Sequence, residues 1–455
     1  MGATMSDSVI RAFAAWGADP GPGVDDAGIR HHAKRAVVDW YAALVPGAVE
    51  SPATLMEVAL AEDLDRGRAT LALGRPASTR TAALINGTAA HTVEVDDIFK
   101  DAIYHPGAPT IAAALAVAQE SAASAHDFLR AVIVGYEIST RIGAVLGRAH
   151  YRYWHNTGTV GAFGAAAAAA ALYRLPAERF AHALATVATF AAGLQQAFRQ
   201  DSMSKPLHAG RAAEAGILAA QLAREGVTGS SDVLDGEAGM GRAMSENADW
   251  SGAAATLGRD FHIARMTFKN HACCGHTFAP IDGALALARE MGIGADDIAR
   301  ISIATYAPAL AVAGERSPSS AAEARFSLPF VVATALLHSS VRLAAFSPAR
   351  LGDARIRALM ERIDLDIDAQ ADARFPGQRS ARVRIDTRDG RRGEYFQPHR
   401  KGDPELPLSD EDLSAKFREL AGPVLGEGAA AGLLAQLWAL DAGVALPTLR
   451  NVPTA

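Results

Sequence analysis

A mainly α protein is expected, with a large all-helical domain joined to a smaller α+β domain. Three observations predict it. Up to about residue 260 the chain is dominated by Ala, Leu, Glu and Arg, all good helix formers. Apolar residues there recur at helical spacing. Near residue 265 the composition shifts, and period-two alternation typical of strands enters.

The helical spacing is clearest in AKRAVVDWYAALV, HDFLRAVIVGYEISTRIGAVLGRA and GRAAEAGILAAQLAREG. The stretches Ile111–Ala118 and Ala165–Leu172 are apolar nearly all round, which predicts helices buried inside a large bundle. Gly226 and Gly229 punctuate like helix ends. In the second part, Arg300–Tyr306 and Arg362–Asp368 alternate like strands, and Ala381–Phe396 reads as a hairpin around Asp389-Gly390. Helical stretches at Ile281–Gly292 and Phe330–Val341 lie between them. After Pro398 the chain returns to helix, with Ser409 as N-cap and acidic residues in the first turn. The expected division is therefore a helical domain over 1–265 completed by 400–455, with the α+β domain inserted over 266–399.

With 455 residues there is ample length for a large core. Hydrophobic residues at 49% and charged residues at 21% indicate a soluble, globular chain. A net charge of −6 without a long basic run argues against nucleic acid as a partner. The only two cysteines, Cys273 and Cys274, are adjacent, so neither a normal disulfide nor an iron–sulfur ligand set is expected, and a reducing cytoplasm fits. The Ala-rich run at 165–171 falls short of the roughly 18 to 20 apolar residues that span a bilayer. Met1-Gly2 with Ser6 formally matches a myristoylation pattern, but so short a pattern arises easily by chance and no second membrane signal accompanies it. No membrane association is expected.

The chemistry concentrates in Asn86–Gly107, NGTAAHTVEVDDIFKDAIYHPG, which holds His91, Glu94, Asp96, Asp97, Asp101 and His105. Charged groups beside a buried helix are expensive unless paired or at work, and dense titratable groups there suit acid/base chemistry. If the segment is helical, His91, Glu94 and Asp97 share a face and could hold a metal. Carboxylate–histidine pairs more often satisfy each other, so no metal is expected. The bland alternative is a polar helix end whose Asp residues cap the next turn.

Other segments add cations. His155 precedes the Gly-rich helix start NTGTVGAFG, where backbone N–H groups favour an anion, although one such histidine is commonly structural. Gly158, Gly161 and Gly164 read as close helix packing, not as a phosphate loop. Lys205 in SKPLHAG can bind a carboxylate or act as a base; otherwise it is a surface lysine. FKNHACCGHTFAPID brings Lys269, His271, His276 and both cysteines, with no clear base to activate a thiol. PHRKG at 398–402 is a basic turn expected to be solvated, or else to meet an acidic ligand. Lys205, Lys269, His105, His155 and His276 set against a few carboxylates suit a di- or tricarboxylate that loses its α-proton.

In chain order, NGTAAHTVEVDDI…HPG, HNTGTVGAFGAAAAAA, SKPLHAGRAAEAGILAAQLAREGVTG, KNHACCGHTFAPIDGAL, FSLPF and GDPELPLSDEDLSAKF resemble the MmgE/PrpD family. The resemblance runs from about residue 30 to 445. It implies a homodimer with a helical domain and an α+β lid, working without iron–sulfur or organic cofactor. The family includes 2-methylcitrate dehydratase, cis-aconitate decarboxylase and iminodisuccinate epimerase. Its acidic segment falls on Glu94, Asp96 and Asp97, its downstream histidine on His105, the histidine before the Gly-rich helix on His155, and its lysine on Lys205. Its lid segment falls on Lys269 to His276.

Three positions depart from that pattern. The first acid, usually Asp, is Glu94, and the step from Asp97 to His105 is a residue longer than in the decarboxylases. A family histidine is expected near Cys274 or Phe278, whereas this chain has His276 between them.

These readings together predict a cofactor-free lyase resembling 2-methylcitrate dehydratase, removing a proton α to a carboxylate of a small di- or tricarboxylate with loss of water. The alternatives are an epimerase of the iminodisuccinate type, a cis-aconitate-type decarboxylase, or a non-enzymatic carboxylate-binding protein. In the favoured scheme Lys205, Lys269, His276 and His91 contact substrate and His105 or His155 moves the proton. Glu94 or Asp97 orients that histidine or assists the leaving hydroxyl. Asn86–Gly107 is expected to form one wall of a cleft against the lid.

Overall fold

A computed structural model describes residues 8–200 and 202–448; the Met1-Gly2-Ser6 pattern lies outside them. At the centre of the first unit is the helix Asn156–Leu172, whose residues 156 to 170 are all buried. Ala and Gly make this possible, because a helix without bulk can be surrounded closely on every side. The helices Gly107–Ser121, Ala125–Tyr151 and Ser204–Arg224 pack around it. A Cβ on Gly161 would lie 2.5 Å from Pro109 Cγ, and one on Gly158 3.0 Å from His208 Cβ. The glycines spaced by three are thus where neighbouring chain approaches, and the expected packing role holds.

The chain divides into two compact units, one running to Thr267 and resuming at Ser409, the other covering Phe268–Leu408. In the first, Thr79–Thr92 packs on Ser204–Arg224, and Ala27–Gly47 packs on Asp410–Leu425. Ser409 caps the last of these: its Oγ accepts the Asp412 N–H at 3.1 Å while Asp412 accepts the Ser409 N–H at 2.9 Å. This unit also carries a small antiparallel pair, Leu64–Thr70 with Pro76–Ala77. A two-residue strand is too short to show as alternation in sequence, so the expectation of helix alone missed it.

The second unit is built on a four-stranded sheet, in the order Ile363–Ile367, Ile298–Thr305, Ala381–Thr387, Arg392–Gln397. The first pair is parallel and the others antiparallel. Ile301 and Ile303 are buried, as are Val383 and Ile385 opposite them, and this face is the one that needs cover. The helix Phe278–Met291 packs on the two hairpin strands, and Leu328–His338 packs on that helix. Residues 400–408 lie in this unit. Gly402 C=O accepts the Phe268 N–H at 3.0 Å, and Arg400 makes a bidentate pair with Asp403 at 2.8 and 2.9 Å. Arg400 is buried, so the basic turn is not the solvated loop expected from its composition. Nineteen α-helices against six strands among the described residues make the chain mainly α with a smaller α+β part. None of these helices is long and apolar enough to cross a membrane.

Candidate active site

The helix Thr79–Thr92 ends at Thr92, and Glu94 reverses the chain with φ +61°. That turn decides which carboxylates face which partners. His91, Glu94 and Asp97 do not share a helix face; the metal arrangement considered from sequence does not form. Asp96 swings back instead. His91 Nδ1 lies 2.7 Å from Asp96 Oδ2 and His105 Nδ1 lies 3.2 Å from the same oxygen. His91 and Asp96 are fully buried, and His105 is nearly so.

Asp97 points elsewhere. Its Oδ1 accepts the Gly107 N–H at 3.0 Å and its Oδ2 accepts the Tyr136 hydroxyl at 2.8 Å. It therefore caps the helix Gly107–Ser121, as the bland reading of the segment had it. Gly107 itself is required: a Cβ there would lie 2.9 Å from both Asp97 Oδ1 and the Tyr136 hydroxyl. Burial, with the neighbouring charge of Asp39, pushes the Asp97 carboxyl up to about 7.

The other predicted residues of this unit converge on Asp96. The rings of His91 and His155 stack with centroids 5.4 Å apart. His155 Nδ1 is 3.1 Å from His208 Nδ1. Lys205, one turn before His208 on the helix Ser204–Arg224, pairs with Glu94 and sits over the Phe198 ring at 5.2 Å. The structure thus brings together His91, Glu94, Asp96, His105, His155 and Lys205. His208 was not singled out from sequence. Its spacing of three from Lys205 puts both on one helix face, and that was the available signal.

Burial opposes ionisation of Asp96, but His91 and His105 outweigh it and hold the carboxyl well below its ordinary range. Burial lowers His91 to about 4 against the pull of Asp96. Burial also lowers His155 and His208, helped by their histidine neighbours. A neutral His91 facing an ionised Asp96 must donate from Nδ1, because a carboxylate only accepts. Its Nε2 then carries a buried lone pair, and that atom has no protein hydrogen-bond partner among the described residues. This orientation of an imidazole by a carboxylate is how a general base is prepared.

The ligand atoms of His91, Asp96 and His105 lie within 4.8 Å of one another, a set that could hold a metal ion. The 2.7 Å His91–Asp96 separation is that of a direct hydrogen bond between Nδ1 and Oδ2, which leaves His91 Nε2, Asp96 Oδ1 and His105 Nδ1 without a protein hydrogen-bond partner among the described residues.

Lys269 and His276 belong to the second unit and are described with it. His276 Nδ1 is 2.8 Å from the Tyr306 hydroxyl, and burial followed by Arg379 and Arg400 lowers the ring to about 4. His271 Nε2 is 2.9 Å from Asp282. Burial pushes the Cys273 thiol up to about 12 and raises Cys274, which removes thiolate chemistry at neutral pH. Arg400 belongs to the basic turn read from sequence, whereas Arg379 and Tyr306 were missed because they come from distant segments.

The helical unit thus gathers a buried carboxylate, four histidines and a lysine in one place. Residues 13–253 match the MmgE/PrpD N-terminal domain and residues 271–440 the MmgE/PrpD C-terminal domain, so the chain belongs to the MmgE/PrpD family. It is 28% identical over 372 residues to the cis-aconitate decarboxylase-like protein oryM of Aspergillus oryzae, covering 76% of each chain. It is 29% identical to human cis-aconitate decarboxylase over 360 residues, covering 76% of this chain and 73% of the human one. The mouse cis-aconitate decarboxylase is also 29% identical, over 365 residues. The family and these relatives indicate an enzyme.

Proposed function

We propose that this protein is a lyase that breaks a bond at the carbon α to a carboxylate of a small polycarboxylate by proton transfer, without metal or organic cofactor. The observation that carries the reading is the buried Asp96 carboxylate hydrogen-bonded to His91, with His105 Nδ1 3.2 Å away and Lys205 nearby. Lys205 holds a substrate carboxylate. Its pair with Glu94 is partly exposed, with side-chain exposures of 23% and 41%, and such pairs contribute only about 0–1 kcal/mol. An incoming carboxylate displaces Glu94 at little cost.

Loss of carbon dioxide is the first reaction to test, because all three relatives bear the decarboxylase name. In it the carbon–carbon double bond of the substrate takes a proton from a cluster histidine that charges when the substrate carboxylates bind, the C–CO₂ bond breaks, and its electron pair forms the new double bond. Loss of water, the reaction favoured from sequence, is the second reading. The neutral resting state of His91, His155 and His208 supports it, since abstraction of an α-proton needs a free lone pair. The hydroxyl then departs with a proton from the imidazolium so formed. The homodimer implied by the resemblance is part of this reading, and light scattering of the purified chain tests it.

The experiment is incubation with cis-aconitate, hydroxy-tricarboxylates and dicarboxylates in D₂O, followed by proton NMR and headspace carbon dioxide. Carbon dioxide with a deuterated product supports decarboxylation, and a new alkene with hydroxyl loss supports dehydration. Deuterium exchange alone indicates epimerisation. Absence of both turnover and exchange with all of them rejects the proposal.

A further inference from the structure

The acid–base segment is held from beneath by a residue more than 300 positions away in sequence. Lys416, on the helix Asp410–Leu425, is 1% exposed, and its Nζ lies 2.6 Å from Asp39 Oδ1 and 2.6 Å from the Val95 carbonyl oxygen. Asp39 is equally buried, on the helix Ala27–Gly47. Val95 sits between Glu94, which pairs with Lys205, and Asp96, which orients His91. Its carbonyl belongs to the peptide that leads into Asp96, so a donor fixed on that oxygen fixes the direction in which Asp96 leaves the backbone.

Two considerations separate this from ordinary core packing. The preceding residue, Glu94, has φ +61°, a conformation that a residue with a side chain adopts only when its surroundings impose it. A buried ion pair is also a poor way to gain stability, since apolar residues of similar volume are often as good or better. A hydrophobe there would serve stability as well, and what the lysine adds is a directed donor on Val95.

We propose that Lys416, supported by Asp39, is a positioning residue that sets Asp96 against His91 and His105 for proton transfer. In this role it acts through the Val95 peptide. The inference rests on the function proposed above, and misplacement of a catalytic group by about 1 Å is expected to cost on the order of 100-fold in rate.

The test compares the wild type with Lys416→Met, Lys416→Arg and the double variant Lys416→Met/Asp39→Leu. The double variant removes both charges, so it is expected to fold even where Lys416→Met, which strands the Asp39 charge, does not. Its expected behaviour is a cooperative melt lowered only by the unpaired Val95 carbonyl, kcat reduced about 10- to 100-fold, and KM within a few-fold. Lys416→Arg, which keeps a donor, is expected to retain more activity than either Met variant. A double variant that folds with full kcat would reduce Lys416 to a structural role and overturn the proposal.

A second readout needs no substrate. The low-field proton resonance of His91 Nδ1–H, assigned by its loss in Asp96→Asn, is expected to shift or disappear in the double variant. If no substrate is ever turned over, the proposed function fails, while this resonance still decides whether Lys416 holds Asp96 in place. An unchanged resonance overturns the positioning role.

Discussion

At the scale of single residues, the two adjacent aspartates have opposite fates. Asp96 keeps its charge among histidines, and Asp97 is held close to neutral by burial and by Asp39. Asp96→Asn removes the anion that orients His91, and kcat is expected to fall by at least about 100-fold with the circular dichroism unchanged. Lys205→Ala removes a charge-assisted contact worth roughly 1.5–3 kcal/mol, so KM for the substrate should rise about tenfold or more. Asp97 makes a prediction about stability. Its folded value of about 7 exceeds the ordinary aspartate value near 4, so the folded state binds the proton more tightly. Its favourable contribution is complete below about pH 4 and lost as pH rises through 7. Asp97→Asn should therefore gain stability relative to wild type between pH 5 and 8 in parallel thermal melts; an offset independent of pH would contradict the assignment. His91, His105, Glu94 and Lys205 were legible in sequence because their segments concentrate titratable groups. Which aspartate faces the histidines was not, because it depends on the reversal at Glu94, and a positive φ at glutamate has no sequence signature.

Among the elements, close approach organises the site. The helix carrying Lys205 and His208 crosses the helix carrying His91 at Gly210, where an added Cβ would meet the Leu84 carbonyl and the Thr88 hydroxyl. Gly210→Ala is expected to cost about 1–3 kcal/mol by overpacking and, because both helices carry site groups, to lower activity as well. Denaturant midpoints and kcat/KM measured on the same preparation check both parts. Helix existence was readable wherever apolar spacing persisted, as in Ala125–Tyr151 and Ser204–Arg224. The end of Thr79–Thr92 was not, because residues 93–97 continue with no Gly or Pro to mark a stop.

For the whole molecule, the buried histidines dominate the response to acid. His91 and His276 are lowered to about 4 and His262 to about 3, so each must gain a proton on unfolding below its ordinary value near 6.5. Their contribution is complete above about pH 6.5 and is lost as pH falls toward 4, and the melting temperature should drop steeply over that window. The sequence by itself determined the fold class and the strands of the second unit. It also determined the family and most of the residues around the site, because periodicity and local motifs carry that information. Only the tertiary structure decided that Asp96 and not Asp97 faces the histidines, that His208 joins them, and that Lys416 reaches Val95 from the end of the chain. Those facts depend on where a helix stops and on side chains far apart in sequence, and no local pattern encodes either.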